Sequence, residues 1–255
     1  MVWNGVHFNL NTIIPWPIIL IWTLLYFALL AWAWRPKEGR PFGNFKTIDF
    51  VYIALAAALL NVYRFFISPL IPRVGSVTTY FYYPDIGDVF LVMLVAALVG
   101  KPGSVGLFLF IFDIIADIIH YGFGGQPFWF VYETTAYGAM VDLWLIYRGR
   151  YYMMPFQGVL SKSANPGVGG GGSAEELEEE LKPAKALFIV DALLGGITIS
   201  AAYPVWYRGF WATFVEGYTY TPSFWAITSI ASIGAGAVLG LIVAPFIYYI
   251  KRVLS

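Results

Sequence analysis

Residues 13–34 read IIPWPIILIWTLLYFALLAWAW, a run of 22 residues without a charged side chain. Such a run is typical of a helix that crosses a lipid bilayer, because about 20 helical residues span the hydrocarbon layer. The rest of the chain has the same character: 59% of its 255 residues are hydrophobic and 12% are charged, against roughly 25% charged in soluble domains. The composition therefore predicts a membrane protein built from helices.

Six further apolar segments follow, which predicts an all-α polytopic protein of the cell membrane with about seven transmembrane helices. The predicted spans are 13–34, 50–70, 88–99, 104–121, 128–147, 186–205 and 223–250. The corresponding regions are 1–48 for the first helix and its loop, 49–156 for helices two to five, 157–185 for an insert, and 186–255 for the last two helices. The insert combines a glycine run with five glutamates between 169 and 180, which predicts a flexible linker and a short acidic helix.

Basic residues predict the orientation of these helices. Twelve of the 15 Lys and Arg residues lie in alternate connections, after the first, third, fifth and seventh predicted spans. Basic residues concentrate in the cytoplasmic loops of membrane proteins. We therefore expect the N-terminus outside and the C-terminus in the cytoplasm.

Three ionisable residues, Asp113, Asp117 and His120, interrupt the fourth apolar segment. At 100° per helical residue they share one stripe. Charged groups inside a bilayer are costly and usually face the protein interior, where they mark a binding site or a pathway. In the predicted orientation Asp117 and His120 approach the outer surface, so we expect them to contact a substrate and Asp113 to act mainly as an interhelical partner.

Other polar and aromatic residues are expected at the same depth, and together they predict a pocket that opens to the outside. The predicted substrate-binding residues are Glu133, Asp117, His120, Trp129, Tyr132, Arg64, Asn61 and Tyr83. A small polar ring suits this set, because aromatic side chains can stack on it and carboxylates can hold its donor groups. Asp142 and Asp191 lie near the inner ends of their spans, where capping or interfacial roles are expected.

Several alternatives stay open at this point. Arg64 could simply neutralise Glu133 or Asp117 as an interhelical ion pair. The cluster of Asp113, Asp117, His120 and Glu133 could instead serve a membrane-embedded metal-binding or proton-conducting subunit, although the spacing matches no zinc motif. A purely structural subunit of a larger complex is the third possibility.

The sequence contains no cysteine, no phosphate-binding loop and no hydrolase signature. Thiolate chemistry is therefore excluded, and any dependence on ATP requires a partner chain. We predict a protein that is not an enzyme and that carries neither a cofactor nor a metal.

Small residues spaced four apart occur in two of the predicted spans. Ala54 and Ala58 form one pair, and Gly236 and Gly240 form another, with Gly234 close by. Such spacing lets helix backbones approach closely in lipid. Internal packing and the docking of a partner are both compatible with it.

The order of these features resembles a known transporter family. Residues 83–88 read YPDIGD, a short apolar span follows, and residues 99–106 then read VGKPGSVG before the helix with Asp113 and Asp117. This order is similar to that of the substrate-binding (S) components of energy-coupling factor (ECF) vitamin transporters. The segment from Glu133 to Asp142 and the glycine-rich last helix look most like the hydroxymethylpyrimidine/thiamine (YkoE-like) branch.

The resemblance implies a six-helix bundle formed by spans two to seven, with one additional helix at the N-terminus. It also implies that the chain captures a vitamin or a vitamin precursor at the outer face, with thiamine or hydroxymethylpyrimidine favoured. ATP would be hydrolysed by separate ATPase subunits, which act through a transmembrane coupling subunit. Ala54 and Ala58 fall where the family carries a motif for docking onto that coupling subunit.

Overall fold

The computed structural model describes residues 7–34, 45–72, 85–122, 126–158 and 181–254. Its α-helices are α1 (Trp16–Ala33), α2 (Thr47–Val62), α3 (Asp85–Val99), α4 (Ser104–Ile119), α5 (Phe128–Tyr132), α6 (Ala139–Arg148), α7 (Lys185–Ala201), α8 (Ala212–Glu216) and α9 (Pro222–Leu254). Three π-helical segments continue some of these helices: Tyr63–Ile67 after α2, Glu133–Gly138 between α5 and α6, and Ala202–Trp211 between α7 and α8. Short 3-10 turns occupy Ser68–Leu70 and Gly149–Tyr151.

Four helical stretches in the described chain are long and apolar enough to cross a membrane. They are Trp16–Ala33, Thr47–Leu70, Lys185–Glu216 and Pro222–Leu254. Large apolar side chains cover their outer surfaces, including Leu24 on α1, Leu55 on α2 and Phe246 on α9. These helices confirm the coarse prediction of a helical membrane protein. The count of seven spans and their orientation stay predictions.

Several helix bounds differ from the predicted spans: α2 begins at Thr47 rather than Phe50, and α9 ends at Leu254 rather than Ile250. The third helix begins at Asp85 rather than Asp88. The sixth predicted span ends at Val205, but the helical chain continues without a break to Glu216. A π-helical segment carries the chain past Pro204 and Gly209. Arg208 therefore lies within a helix and not in a connection.

The insert predicted as a flexible linker is bounded by a short β-ladder. Strand β1 (Phe156–Gly158) pairs antiparallel with β2 (Leu181–Pro183), and Gln157 lies opposite Lys182. Residues 159–180, which include the predicted acidic helix, lie outside the described residues.

Helix α3 lies at the centre of the bundle, between α2, α4, α7 and α9. Val89, Val92, Met93, Ala96 and Ala97 on this helix are all buried. A helix that is apolar on all sides can be enclosed by protein as readily as by lipid. This explains why α3 is short and still belongs to the core.

Helices α7 and α9 share the most extensive contact among the described elements, and glycines face each other across it. A Cβ atom at Gly240 would overlap the carbonyl oxygen of Ala192 and lie 3.0 Å from the Cα of Gly196. Gly236 likewise faces the backbone of Gly196. Of the two readings of this small-residue pattern, internal packing is confirmed for Gly236 and Gly240.

Gly240→Ala is expected to lower the free energy of unfolding by about 1–3 kcal/mol, because the obstructing atom belongs to the backbone and cannot rotate away. Gly234→Ala is the matched control, since a Cβ there meets nothing within 4 Å and alanine favours a helix over glycine by about 1 kcal/mol. Unfolding of both variants in detergent micelles measures the difference. Equal stability of the two variants would contradict the close contact.

Helix α1 packs against α6 and the preceding π-helical segment. The hydroxyl of Tyr26 donates to Asp142 at 2.9 Å, and the indole N–H of Trp34 donates to the carbonyl of Pro102 at 2.8 Å. Asp142 also accepts the backbone N–H groups of Val105 and Gly106, at 3.0 and 2.7 Å. It therefore caps the first turn of α4 from a neighbouring helix, and the predicted capping role of Asp142 is confirmed.

Candidate binding site

A cavity of about 480 Å³ lies at one end of the bundle. It is bounded by the last turns of α2 and α4, the start of α5, the π-helical segments and the chain around α8. Its lining residues are His7, Arg64, Phe65, Phe112, Asp113, Ala116, Asp117, Tyr121, Gln126, Trp129, Phe130, Tyr132, Glu133, Tyr137, Tyr203, Tyr207, Val215, Glu216 and Tyr218. This volume suits a small molecule with one or two rings.

Each of the three π-helical segments in the described chain contributes side chains to this one cavity. Tyr63–Ile67 contributes Arg64, Glu133–Gly138 contributes Glu133 and Tyr137, and Ala202–Trp211 contributes Tyr203 and Tyr207. A π-helical turn interrupts the regular α-helical ladder and is found frequently at functional sites, where it changes the direction of side chains. The irregular backbone is therefore concentrated around the cavity.

Arg64 is held between two carboxylates on different helices. Its guanidinium donates to Asp88 with a shortest distance of 2.6 Å and to Glu133 at 3.0 Å. The guanidinium carbon also lies 5.1 Å from the ring centre of Phe112 and 5.4 Å from that of Tyr137. The Arg64–Glu133 ion pair is the interhelical pair that the sequence offered as an alternative to substrate binding. The main partner, Asp88, was not among the predicted site residues.

Acidic groups outnumber this arginine around the cavity. Asp113, Asp117, Glu133 and Glu216 all line it. Within the described chain, the Oδ2 atom of Asp113 and the Oε2 atom of Glu133 are buried without a hydrogen-bond partner. A buried carboxylate oxygen without a donor is costly. The cavity thus offers acceptor atoms that a ligand with donor groups or a positive charge could satisfy.

Aromatic rings form much of the rest of the lining. Trp129 lies 5.4 Å from Tyr132 and 5.8 Å from Tyr207, measured between ring centres. Tyr203 stacks on Tyr207 at 4.8 Å, and the hydroxyl of Tyr207 donates to Glu216 at 2.6 Å. Flat ring faces beside acidic groups suit a planar ligand that carries positive charge.

The structure places five of the predicted substrate-binding residues in the cavity wall: Arg64, Asp117, Trp129, Tyr132 and Glu133. Asn61 and His120 are not in that wall. Asn61 donates to the carbonyls of Ala57 and Phe112 at 2.9 and 3.0 Å and so joins α2 to α4. The exposed ring of His120 stacks on Phe65 at 4.1 Å, beyond the end of α4. Tyr83 lies outside the described residues.

The sequence predicted that Asp117 and His120, rather than Asp113, would contact a substrate, and the lining of the cavity differs from this. Asp113 lines it together with Asp117, whereas His120 does not. His120 is the C-cap residue of α4, and its backbone N–H still donates to the carbonyl of Ala116 at 2.9 Å, but its ring stacks on Phe65. The described residues also contain no group of three His, Cys, Asp or Glu side chains that could hold a metal ion. The metal-binding alternative lacks the geometry that it requires in this part of the chain.

Several lining residues escaped prediction. Tyr203, Tyr207 and Glu216 belong to the helical stretch that we ended at Val205, while His7 precedes the first predicted span. A signal was present in the sequence: residues 203–211 read YPVWYRGFW, an aromatic density unusual for a loop.

Ala54 and Ala58, the predicted docking residues, lie on an exposed face of α2. Leu55 and Leu59 are exposed on the same helix. Helix α1 packs elsewhere, so it leaves this face uncovered.

A second polar cluster lies at the opposite end of the bundle, and the buried polar atoms of its ion pair, Arg148 and Asp191, all have hydrogen-bond partners. Asp191 accepts hydrogen bonds from the guanidinium of Arg148 at 2.8 Å, the indole of Trp144 at 2.7 Å and the backbone of Met153 at 2.8 Å. In the same turn, burial raises the pKa of the Tyr152 phenol well above its ordinary value, so this hydroxyl stays neutral. This cluster has the interfacial role predicted for Asp191 and joins α6 to α7.

Comparison of the chain with protein-family models, with curated proteins and with solved structures gave no match.

Proposed function

We propose that this protein is a membrane-embedded binding subunit that captures a small, ring-bearing molecule with donor groups or a positive charge. The observation that carries the proposal is the pair of buried, unpartnered carboxylate oxygens on Asp113 and Glu133 in a cavity walled by aromatic rings. A buried acid without a partner lowers the stability of the protein. Such groups persist where function requires them, and here the requirement is a ligand that donates to them.

The charge around the cavity narrows the class of ligand. Arg64 already donates to Asp88 and Glu133. Asp113, Asp117 and Glu216 add three further acidic groups to the same wall. An anionic ligand would meet several carboxylates and one arginine in a poorly solvated space. A cation or a neutral ring with amino groups fits better.

The proposed cavity opens on the outer side of the membrane. It lies at the end of the bundle where α2 and α4 finish and α5 begins. Basic residues of the described chain gather near the other end, at the start of α2 and α7, between α3 and α4, and at the end of α6 and α9: Lys46, Lys101, Arg148, Arg150, Lys185, Lys251 and Arg252. With seven spans and basic connections in the cytoplasm, a ligand would enter from outside.

Within this proposal the chain acts as the S component of an ECF importer. Helices α2 to α9 would provide the six-helix bundle, with α1 as an addition. ATP hydrolysis would occur in separate ATPase subunits joined through a transmembrane coupling subunit, for which the exposed Ala54 and Ala58 face of α2 is the docking site. Thiamine or hydroxymethylpyrimidine is the favoured substrate, because each has a pyrimidine ring with an amino group.

A binding assay on the purified protein tests the proposal. Thiamine, hydroxymethylpyrimidine and other vitamins are titrated against the wild type and against Asp113→Asn. We expect saturable binding, and we expect the substitution to raise the dissociation constant about 10- to 100-fold, since a hydrogen bond to a charged group is lost.

The unfolding temperature of Asp113→Asn without ligand is the internal control. We expect it to equal or exceed that of the wild type, because the substitution removes a buried carboxylate with an unpartnered oxygen. Saturable binding that is unchanged in Asp113→Asn would refute the site. No saturable binding of any of these compounds would refute the substrate class.

A further inference from the structure

Helix α1 and the residues just before it form hydrogen bonds with two of the π-helical segments that line the cavity. The indole N–H of Trp22 donates to the carbonyl of Thr135 at 3.0 Å, inside Glu133–Gly138. The backbone N–H of Ile14 donates to the carbonyl of Gly209 at 2.9 Å, inside Ala202–Trp211. A π-helical turn disturbs the regular pairing of backbone groups, and in lipid every such group needs a partner. Residues at the start of the chain provide donors for both segments.

One side chain touches both segments. While its N–H donates to Thr135, the Trp22 ring stacks on Trp206 with ring centres 5.8 Å apart and an interplanar angle of 25°. Both partners of Trp22 are close in sequence to residues that line the cavity. Thr135 lies two residues after the lining residue Glu133, and Trp206 lies between the lining residues Tyr203 and Tyr207. Trp22 does not line the cavity. It therefore lies behind two of its walls.

The other tryptophans on α1 show that this contact is specific to Trp22. Trp16 and Trp32 are exposed by 46% and 55%, as expected for side chains facing lipid. Trp22 is partly buried, and its only polar atom is directed at the π-helical backbone. A tryptophan that served only as a lipid anchor would not need this direction.

We propose that Trp22 is a positioning residue for the binding cavity: it holds the two π-helical segments in the geometry that presents Glu133 on one wall and Tyr203 and Tyr207 on the other. This inference rests on the proposed function, and it assigns to α1 a role in ligand binding rather than only in anchoring. A six-helix bundle without α1 would lack both the donor for Thr135 and the ring that packs on Trp206.

Trp22→Phe tests the proposal, because it removes the N–H donor and keeps an aromatic ring against Trp206. Amide hydrogen exchange, followed peptide by peptide in the ligand-free protein, is the first measurement. We expect faster exchange in 133–138 and 202–211, with the rest of the bundle unchanged. Titration with thiamine is the second, and we expect the dissociation constant to rise about fivefold, as for the loss of one neutral hydrogen bond.

Two matched variants separate positioning from general attachment of α1. Trp32→Phe changes an exposed tryptophan on the same helix and should alter neither measurement. Tyr26→Phe removes a different hydrogen bond of α1, the one to Asp142, and should lower stability without accelerating exchange in the two π-helical segments. Trp34, whose indole donates to Pro102, keeps α1 attached in all three variants.

Unchanged exchange in both π-helical segments of Trp22→Phe would overturn the proposal. The same acceleration in Tyr26→Phe would also overturn it, since any weakening of α1 would then suffice. A wild-type protein that binds none of these vitamins would refute the proposed substrate class instead, and the exchange measurement, which needs no ligand, would still decide whether Trp22 holds the two segments.

Discussion

Arg64→Met is expected to lower the free energy of unfolding by about 3–5 kcal/mol, because it leaves two buried carboxylates without their counter-charge. The side chains of Asp88 and Glu133 are 1% and 8% exposed, so both carboxylates are poorly solvated. Methionine has a similar length and fills most of the vacated space, which confines the effect to charge and hydrogen bonding. Denaturant unfolding in detergent micelles, followed by tryptophan fluorescence, measures the loss.

Two further variants make this prediction specific. Arg150→Met removes an arginine from an exposed position and should change stability by less than about 0.5 kcal/mol. Adding Asp88→Asn and Glu133→Gln to Arg64→Met removes the two carboxylates that have lost their counter-charge. This triple variant should regain a large part of the lost free energy of unfolding. If the triple variant is no more stable than Arg64→Met, the destabilisation does not come from charge, and the ion pairs described here do not account for it.

Asp191→Asn is expected to have a comparable effect at the other end of the bundle, about 3–5 kcal/mol. The substitution keeps the shape and one acceptor oxygen but leaves the guanidinium of Arg148 uncompensated, and the Arg148 side chain is only 1% exposed. The same unfolding experiment measures it. Because Asp191 also accepts the N–H of Met153, we expect the turn after α6 to loosen as well.

The matched control is Asp49→Asn, which weakens an ion pair between Asp49 and the more accessible Lys101. Its cost should be about 1 kcal/mol, the range for partly exposed pairs and helix caps. The double variant Arg148→Met with Asp191→Asn should be more stable than Asp191→Asn alone. Equal losses in the single and double variants would show that the Arg148 charge is not responsible.

Much of the helical architecture could be predicted from apolar runs. Each predicted span overlaps a described helix, and the start of α4 at Ser104 and the start of α5 at Phe128 coincide with the predictions. The failure at Val205 has a physical cause. Pro204 cannot donate to a helical ladder, yet the chain passes it in a π-helical segment, whose hydrogen-bonded turns are longer than those of an α-helix.

The sequence could predict which part of the bundle holds the site, but not which side chains pair with one another there. Helical spacing put Asp113 and Asp117 on one stripe, and both line the cavity. That Arg64 pairs with Asp88 depends on how α2 and α3 rotate against each other, which one sequence does not encode in any local pattern. The direction of a side chain at the end of a helix also cannot be predicted from one sequence. His120 is the example, because its ring stacks on Phe65 and does not line the cavity.

The capping of α4 by Asp142 has a consequence for the order in which the chain assembles. Three separate segments meet at this carboxylate: Tyr26 from α1, the first turn of α4, and α6 itself. During synthesis α1 and α4 both emerge before Asp142 does, so the first turn of α4 must wait for a partner that is still being translated. Helix α6 therefore supplies the carboxylate that joins α1 to α4 after both of those helices have been synthesised. A ribosome-stalled chain that ends before residue 142 should hold α1 and α4 less firmly together than one that ends after α6.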